Sequence, residues 1–268
     1  MELTESLKKW FGHDSFREGQ EDLIRALMSG RDILGVMPTG AGKSVCYQLP
    51  ALLFPGITLV VSPLIALMKD QVMALKQSGV AAAYINSSLT PGQQQEAIRR
   101  AKNGAYKIIY VAPERLQTPA FLDFAGHAPL SLLAGDEAHC VSQWGHDFRP
   151  SYLRLGEMIE AFNIPQVCAF TATATQHVRE DIIKQLRRPE MTLHVAGFKR
   201  PNLAFSVVHT GGAEHHICLH AAEITVSHPE GTARLLQLQD LRVQFFPWCP
   251  VTACYPAAEF QQQPHQRA

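Results

Sequence analysis

Three clusters in this 268-residue chain combine residue types that could do chemistry together. The first is Met37-Pro38-Thr39-Gly40-Ala41-Gly42-Lys43-Ser44. An apolar run precedes it and an amphipathic stretch follows, the strand-loop-helix setting that a phosphate-binding loop requires. Glycines let backbone N–H groups converge on phosphate oxygens, and the helix N-terminus adds partial positive charge. Lys43 would reach the β- and γ-phosphates of ATP, and Ser44 would hold Mg²⁺. Met37 stands where the usual signature has its first glycine. The second cluster is Asp136-Glu137-Ala138-His139, after the apolar run Ser131–Ala134. An Asp at a strand end is placed to hold the Mg²⁺ shell, and the Glu beside it can orient and activate an attacking water. Two adjacent carboxylates alone are usually a solvated loop. Their position about 90 residues after a phosphate loop gives them a role. Gly135 is expected to weaken the packing of the strand that carries Asp136. The third cluster, Ser142-Gln143-Trp144-Gly145-His146-Asp147-Phe148-Arg149-Pro150, offers two large π-faces and a guanidinium. That set suits stacking on unpaired bases. Trp144 and Phe148 could instead be core aromatics, but Gln, His, Asp and Arg are poor core neighbours.

These clusters need elements to hold them. Short apolar runs recur at Ile33–Met37, Thr58–Val61, Ala81–Ile85, Ile108–Val111, Ser131–Ala134 and Val167–Phe170. They fit buried parallel strands. Between them lie amphipathic stretches with readable ends. Ser62-Pro63 reads as an N-cap and first helical residue with Gly79 as the stop, and Thr90-Pro91 and Gly104 repeat that punctuation. Alternating strand and helix predicts an α/β domain, an open parallel sheet with helices on both faces. Ligands of such sheets sit at the carboxyl ends of the strands, where all three clusters fall.

Composition sets outer bounds. With 46% hydrophobic residues the chain can bury a full core. Its formal net charge is zero, which neither supports nor excludes a local basic groove for nucleic acid. No run of about 18 apolar residues predicts a membrane span, and Met1 to Trp10 is too polar for a signal peptide. Six scattered cysteines without C-x-x-C spacing fit free thiols in a reducing compartment. A cytoplasmic location is expected.

The motifs together resemble the first RecA-like domain of superfamily 2 helicases, and within them the RecQ-type DNA helicases. The resemblance runs nearly to Asn202. Helicases often keep only T-G-x-G-K-[ST] of the phosphate loop, as here. Phe16-Arg17-Glu18-Gly19-Gln20 resembles the family's adenine-recognition motif, which implies that Gln20 reads the adenine edge, Arg17 supports it and His13 stacks on the base. Val61 to Gln71 resembles a segment that touches the DNA backbone, implying contacts from Lys69 and Gln71. Ala112-Pro113-Glu114-Arg115-Leu116 and Phe170-Thr171-Ala172-Thr173-Ala174 resemble two further helicase motifs, the second coupling ATP state to nucleic-acid grip. The third cluster resembles the aromatic-rich loop that follows DEAH in RecQ enzymes, and implies nucleic-acid contacts from Trp144, His146, Phe148 and Arg149; the family's Glu after the proline is Ser151 here. The resemblance implies ATP and Mg²⁺ as cofactors, DNA as partner, Lys43, Asp136 and Glu137 as catalytic residues, and repair or recombination as the setting. An ATP- and DNA-binding fragment without turnover is the alternative. Another phosphate-loop enzyme, such as a small-molecule kinase, sits poorly with DEAH and the aromatic loop together.

Residues 1–205 therefore read as the ATP-binding domain, and 206–268 as an irregular tail. After Lys199 there is no lysine, and the final 60 residues hold six of twelve histidines. A motor of this family needs a second RecA-like domain that supplies an arginine finger, and its Q-x-x-G-R-x-G-R element does not occur after Asn202. A metal site among His209, His215, His216, Cys218 and His220 would match no familiar four-ligand spacing. Translation out of frame is a second account: codons permitted for Leu235 to Leu241 encode, one nucleotide on, Tyr-Cys-Asn-Ser-Lys-Thr, resembling the strand that opens the family's second domain.

Overall fold

The computed structural model describes residues 2–197 throughout and, beyond them, the backbone of four short strands. Two compact units divide the chain, Met1–Gly197 and Phe198–Ala268. The first carries every candidate site residue.

Its strands are β1 Ile33–Val36, β2 Ile57–Val61, β3 Ala82–Ile85, β4 Ile108–Val111, β5 Leu130–Gly135, β6 Gln166–Thr171 and β7 Thr192–Val195. They form one sheet in the order β3-β4-β2-β5-β6-β1-β7, with every pairing parallel. Parallel neighbours need crossovers, and the helices provide them. They are α1 Leu3–Phe11, α2 Gln20–Met28, α3 Lys43–Leu53, α4 Ile65–Gln77, α5 Pro91–Lys102, α6 Pro119–His127, α7 Arg154–Ala161 and α8 Gln176–Gln185.

Strand periodicity sorts the core into two layers. Leu34, Leu59, Val61, Ile109, Val111, Leu133, Val167 and Ala169 face one side, packed by Ile98, Phe121, Phe124, Leu155, Val178 and Ile182 from α5 to α8. Their strand neighbours Ile33, Val60, Ile108, Tyr110, Leu132, Cys168 and Phe170 face the other, packed by Leu23, Leu27, Cys46, Tyr47, Met68 and Val72 from α2 to α4. Successive strand residues point to opposite faces, so both layers bury apolar side chains and the strands read as continuous apolar runs. Leu7, Ile24 and Leu49 add a smaller cluster that pins α1 to α2 and α3.

Several details differ from the expected pattern. Strand β7 was not anticipated: it lies at the sheet edge, and its alternating half-buried and exposed residues make no apolar run. Helix α4 begins at Ile65 rather than Pro63, because Leu64 stays extended, and Ser62 has another use described below. The capping box expected at Thr90 is present, with Thr90 and Gln93 exchanging side-chain and backbone bonds. Gly135 completes β5 between Val61 and Ala169, and the Asp136 amide donates to Val61 O at 2.8 Å, so the carboxylate is held firmly.

In the second unit, β8 Leu203–His209 pairs antiparallel with β9 His215–Ala221, and β10 Thr225–Val226 with β11 Arg234–Leu235. Strand β8 spans position 205, where the sequence pattern put the boundary; the compact unit ends at Gly197. The side chains of the tail histidines and Cys218, and the segment of the frame reading beyond Leu235, lie outside the described residues. Among the described residues no helix is long and apolar enough to cross a membrane.

Candidate active site

The phosphate loop leaves the carboxyl end of β1, where the Met37 amide donates to Thr171 O of β6 at 2.9 Å. Gly42 sits in the left-handed region (φ 81°) and caps α3. A Cβ there would lie 2.4 Å from Gln20 Nε2, so this turn requires glycine for both conformation and space. Gln20 itself is buried, and its amide is directed at the loop. Nε2 donates to Ala41 O and Gly42 O at 3.1 and 3.0 Å, and Oε1 accepts from the Arg17 amide. The Arg17 guanidinium, exposed on its outer side, donates to Gly40 O. The segment expected to read adenine thus also buttresses the loop that takes the phosphates. His13 is exposed nearby in sequence, and Pro38, Thr39, Gly40 and Ala41 form the rim. Lys43 opens α3, half-buried, with Nζ 3.4 Å from Met37 O. Ser44 follows it on α3, three residues before the buried Tyr47.

Facing the loop across β6 and β1, strand β5 delivers Asp136 and Glu137. Burial raises the Asp136 carboxyl to about 6, with repulsion from Glu137 adding to the rise; the Glu137 amide, Lys43 and Ser62 oppose it. Ser62 Oγ donates to Asp136 Oδ2 at 3.3 Å, and Tyr152 Oη donates to Asp136 O at 3.1 Å. A desolvated carboxylate with one nearby lysine and a serine hydroxyl on the opposing helix fits a phosphate-bound magnesium ion. Ser44 and Asp136 would hold that ion.

Glu137 adopts a left-handed conformation (φ 50°), uncommon for a residue with a Cβ, and opens a short turn at Ala138–Val141. His139 Nδ1 lies 3.3 Å from Glu137 Oε2 and 2.9 Å from Thr171 Oγ1. Thr171 Oγ1 donates to Thr173 O, so it accepts from His139, which assigns the ring proton to Nδ1. Burial first, and then the His146 and Lys43 charges among others, lower the His139 imidazole to about 4, so the ring is neutral at physiological pH. The motifs around Glu137 and Thr171 are therefore joined through a neutral donor. Nothing in the 32-position separation of His139 and Thr171 announces that contact.

The aromatic loop continues from the same turn. Gly145 packs against the turn so closely that a Cβ would lie 2.2 Å from His139 O. The His146 ring stacks on His139, with centroids 4.2 Å apart. Arg149 is tied at three points: its amide to Cys140 O, its guanidinium to Asp147 Oδ2 at 3.0 Å, and Nη1 to Pro63 O at 3.4 Å. The last bond joins the loop to the segment leading into α4. Trp144 is 68% exposed, so it is no core residue, and its ring meets the edge of His177 from α8. Phe148 is half-buried.

On α4, Lys69 is exposed, beside exposed Leu64 and Leu67. Gln71 is different: its Oε1 accepts from Gln48 Nε2 at 2.8 Å, so its amide carbonyl turns inward. Residues missed from sequence include Ser62, read as a helix cap, and Ser142, whose hydroxyl donates to Asp181 Oδ2 at 2.6 Å and anchors the start of the aromatic loop on α8. Capping positions carry no mark that separates such uses.

A family model described as DEAD/DEAH box helicase matches residues 17–182. The chain is 45% identical over 208 residues to the ATP-dependent DNA helicase RecQ of Pasteurella multocida, covering 78% of this chain and 33% of that protein. It is 48% identical over 204 residues to the RecQ helicase of Bacillus subtilis, covering 75% and 34%. The chain thus spans about a third of the length of these curated relatives. Among solved structures, a hypothetical ATP-dependent RNA helicase from Sulfolobus tokodaii superposes with a TM-score of 0.59 at 18% identity, covering 72% of this chain and 56% of that one. The DUF1998 helicase MrfA superposes at 0.55 and 19% identity, covering 72% and 32%. These structural likenesses establish the RecA-like helicase fold.

Proposed function

The chain belongs to the DEAD/DEAH box helicase family, and we propose that residues 1–197 are the ATP-binding motor domain of a RecQ-type DNA helicase. One observation carries this reading: the exposed His146 of the aromatic loop stacks on His139, whose Nδ1 lies 3.3 Å from Glu137 Oε2. A ring of the loop suited to unpaired bases is thus one ring removed from a carboxylate suited to activating water.

The chemistry follows from the placement. Backbone amides of residues 39–43 and the α3 N-terminus receive the phosphates, and Lys43 supplies a cation at the γ-phosphate. Mg²⁺, when bound, neutralises charge on the phosphate oxygens. Glu137 accepts a proton from water as the oxygen bonds to the γ-phosphorus and the bond to the bridging oxygen breaks, giving ADP and phosphate. Neutral His139 orients the Glu137 carboxylate and ties it to Thr171. Trp144, His146 and Phe148 meet bases, while Arg149 and Lys69 meet backbone phosphates. The protein would act where its DNA lies, at the nucleoid or in a nucleus, in repair or recombination.

Turnover needs one more part. Positive charge must meet the γ-phosphate from the wall opposite Lys43, which in this reading belongs to a second RecA-like domain. An arginine finger is worth about 10³–10⁵ in rate. This chain should bind Mg-ATP yet release phosphate more slowly than about 1 s⁻¹, the low end of ordinary enzyme rates. Adding a second domain should restore DNA-stimulated hydrolysis. Steady-state phosphate release, with Glu137→Gln as blank, tests this. Fast turnover by the chain alone would defeat the divided-site account, and failure to bind nucleotide would defeat the motor reading.

A further inference from the structure

Beneath the phosphate loop runs a file of buried polar groups that the chemistry above does not use. It starts at Tyr47, three residues after Ser44 on α3. The Tyr47 and Tyr110 hydroxyls lie 3.4 Å apart. Gln48 Nε2 donates to Tyr110 Oη at 2.7 Å and to Gln71 Oε1 at 2.8 Å. Tyr47, Tyr110 and Gln48 are all nearly inaccessible to solvent. The file therefore begins on α3 next to the serine that would hold the metal, crosses β4, and ends on α4, the helix that carries exposed Leu67 and Lys69.

We propose that Gln48 and Gln71 are positioning residues that couple nucleotide at Ser44 to the grip of α4 on nucleic acid. The proposal rests on the helicase reading. Two physical points support it. First, α4 otherwise docks through Met68, Val72 and Leu75, apolar contacts that are non-directional. The Gln48–Gln71 bond is directional, and its buried donor cannot be left unpaired without a penalty. A change at one end is therefore felt at the other as a loss of geometry rather than absorbed by sliding.

Second, the file can carry a polarity. Tyr47 lies three residues after Ser44 on α3, and its hydroxyl can donate to Tyr110. Tyr110 already accepts one N–H of the Gln48 amide, whose other N–H holds Gln71. Hydroxyls that donate in one sense polarise their neighbours in a low-dielectric interior. Residues of similar volume without polar atoms would fill the same space, so packing alone does not account for four linked polar side chains.

The test measures thermodynamic coupling on the full chain. A fluorescent single-stranded oligonucleotide is titrated with and without saturating Mg²⁺ and a non-hydrolysable ATP analogue. The unsubstituted protein should show two affinities differing by about 5–150-fold, the usual span of coupling between sites. Gln48→Leu should bring that ratio to within about two-fold of unity, with analogue affinity in the absence of DNA unchanged. Gln71→Leu should collapse the ratio too, whereas Gln71→Glu, which keeps the accepting oxygen, should restore it. Tyr110→Phe, which keeps the ring, should behave like Gln48→Leu and stands in if that variant does not fold. A ratio unchanged in Gln48→Leu and Tyr110→Phe, or equal behaviour of Gln71→Leu and Gln71→Glu, overturns the proposal. If the unsubstituted protein binds both ligands without coupling, the relay falls and the helicase reading stands. If it binds neither, both fall.

Discussion

The phosphate loop and the aromatic loop leave the same end of one sheet, yet they are held in opposite ways. The phosphate loop is gripped from behind: Gln20 and Arg17 bond its carbonyls, Gly42 fits against Gln20, and Asp136 opposite it is a half-buried carboxyl raised to about 6. The aromatic loop is held at Ser142, Gly145 and Arg149 and by the His146 stack on His139, while Trp144 stays largely exposed against the edge of His177. The first arrangement stores unfavourable energy until a ligand arrives. The second presents apolar surface to water without involving the core. The lesson is that the nucleotide end should trade stability for function, and the nucleic-acid end should not.

The largest expected effect is at Lys43. Lys43→Ala removes the loop-borne cation and should weaken nucleotide binding by about 2–5 kcal/mol, roughly 30- to 4000-fold, the range for truncating one partner of a buried charge pair. A labelled ATP analogue measures it. Unchanged affinity would remove the phosphate loop from the account.

Asp136→Asn sharpens the contrast from the other side. The Asp136 pKa is raised from 3.8 to about 6, so the folded state holds the proton more tightly than the unfolded chain. Stability from this group therefore falls as pH rises from about 4 to about 6 and stays low above that. The Asn variant escapes that loss. In the absence of Mg²⁺ and nucleotide it should be more stable by about 2–3 kcal/mol above pH 6, with the difference vanishing near pH 4. Denaturant melts at both pH values measure it. A less stable variant at pH 8 would show that the Ser62 and Glu137 amide bonds outweigh desolvation.

Trp144→Ala should weaken single-strand DNA binding by about 1–3 kcal/mol, the worth of one stacked base, and leave the melting temperature within about 2 °C. A clear drop in melting temperature with unchanged DNA affinity would break the comparison. The smallest effect is at Lys69. Lys69→Ala should lower affinity uniformly across sequences and reduce the slope of log affinity against log salt by about 0.7, the value for one phosphate contact on a single strand. An unchanged slope would take α4 off the backbone path.

Much of this was legible from residue order because the relevant physics is local. Continuous apolar runs mark strands buried on both faces, and a glycine loop before a helix marks the phosphate site. Adjacent carboxylates at the end of β5 needed only their distance from that loop. What stayed hidden depends on partners far along the chain. Thr192–Val195 joins the sheet because β1 has a free edge, not because its own pattern is strong. Ser62 looks like a helix cap and instead holds Asp136, 74 positions away. Gln71 looks like a surface residue on a contact helix, and its acceptor is taken from within by Gln48.

The strand order has a consequence for how the protein is made. Strands β2 to β5 pair among themselves, so that half of the sheet can assemble once residue 135 has left the ribosome. Strand β1, made before all of them, has no partner among them. Its neighbours are β6 and β7, which arrive only at Gln166–Thr171 and Thr192–Val195. Pairings so distant in sequence close late, since the loop entropy is lost before any contact rewards it. The phosphate loop hangs from β1 and is bonded to Thr171, so it takes shape only after β6 has been made. A nascent chain stalled before Gln166 would carry a four-stranded partial sheet and a glycine-rich segment with nothing to rest on. Pulse-labelled, arrested chains of increasing length should become protease-resistant well before they retain an immobilised nucleotide.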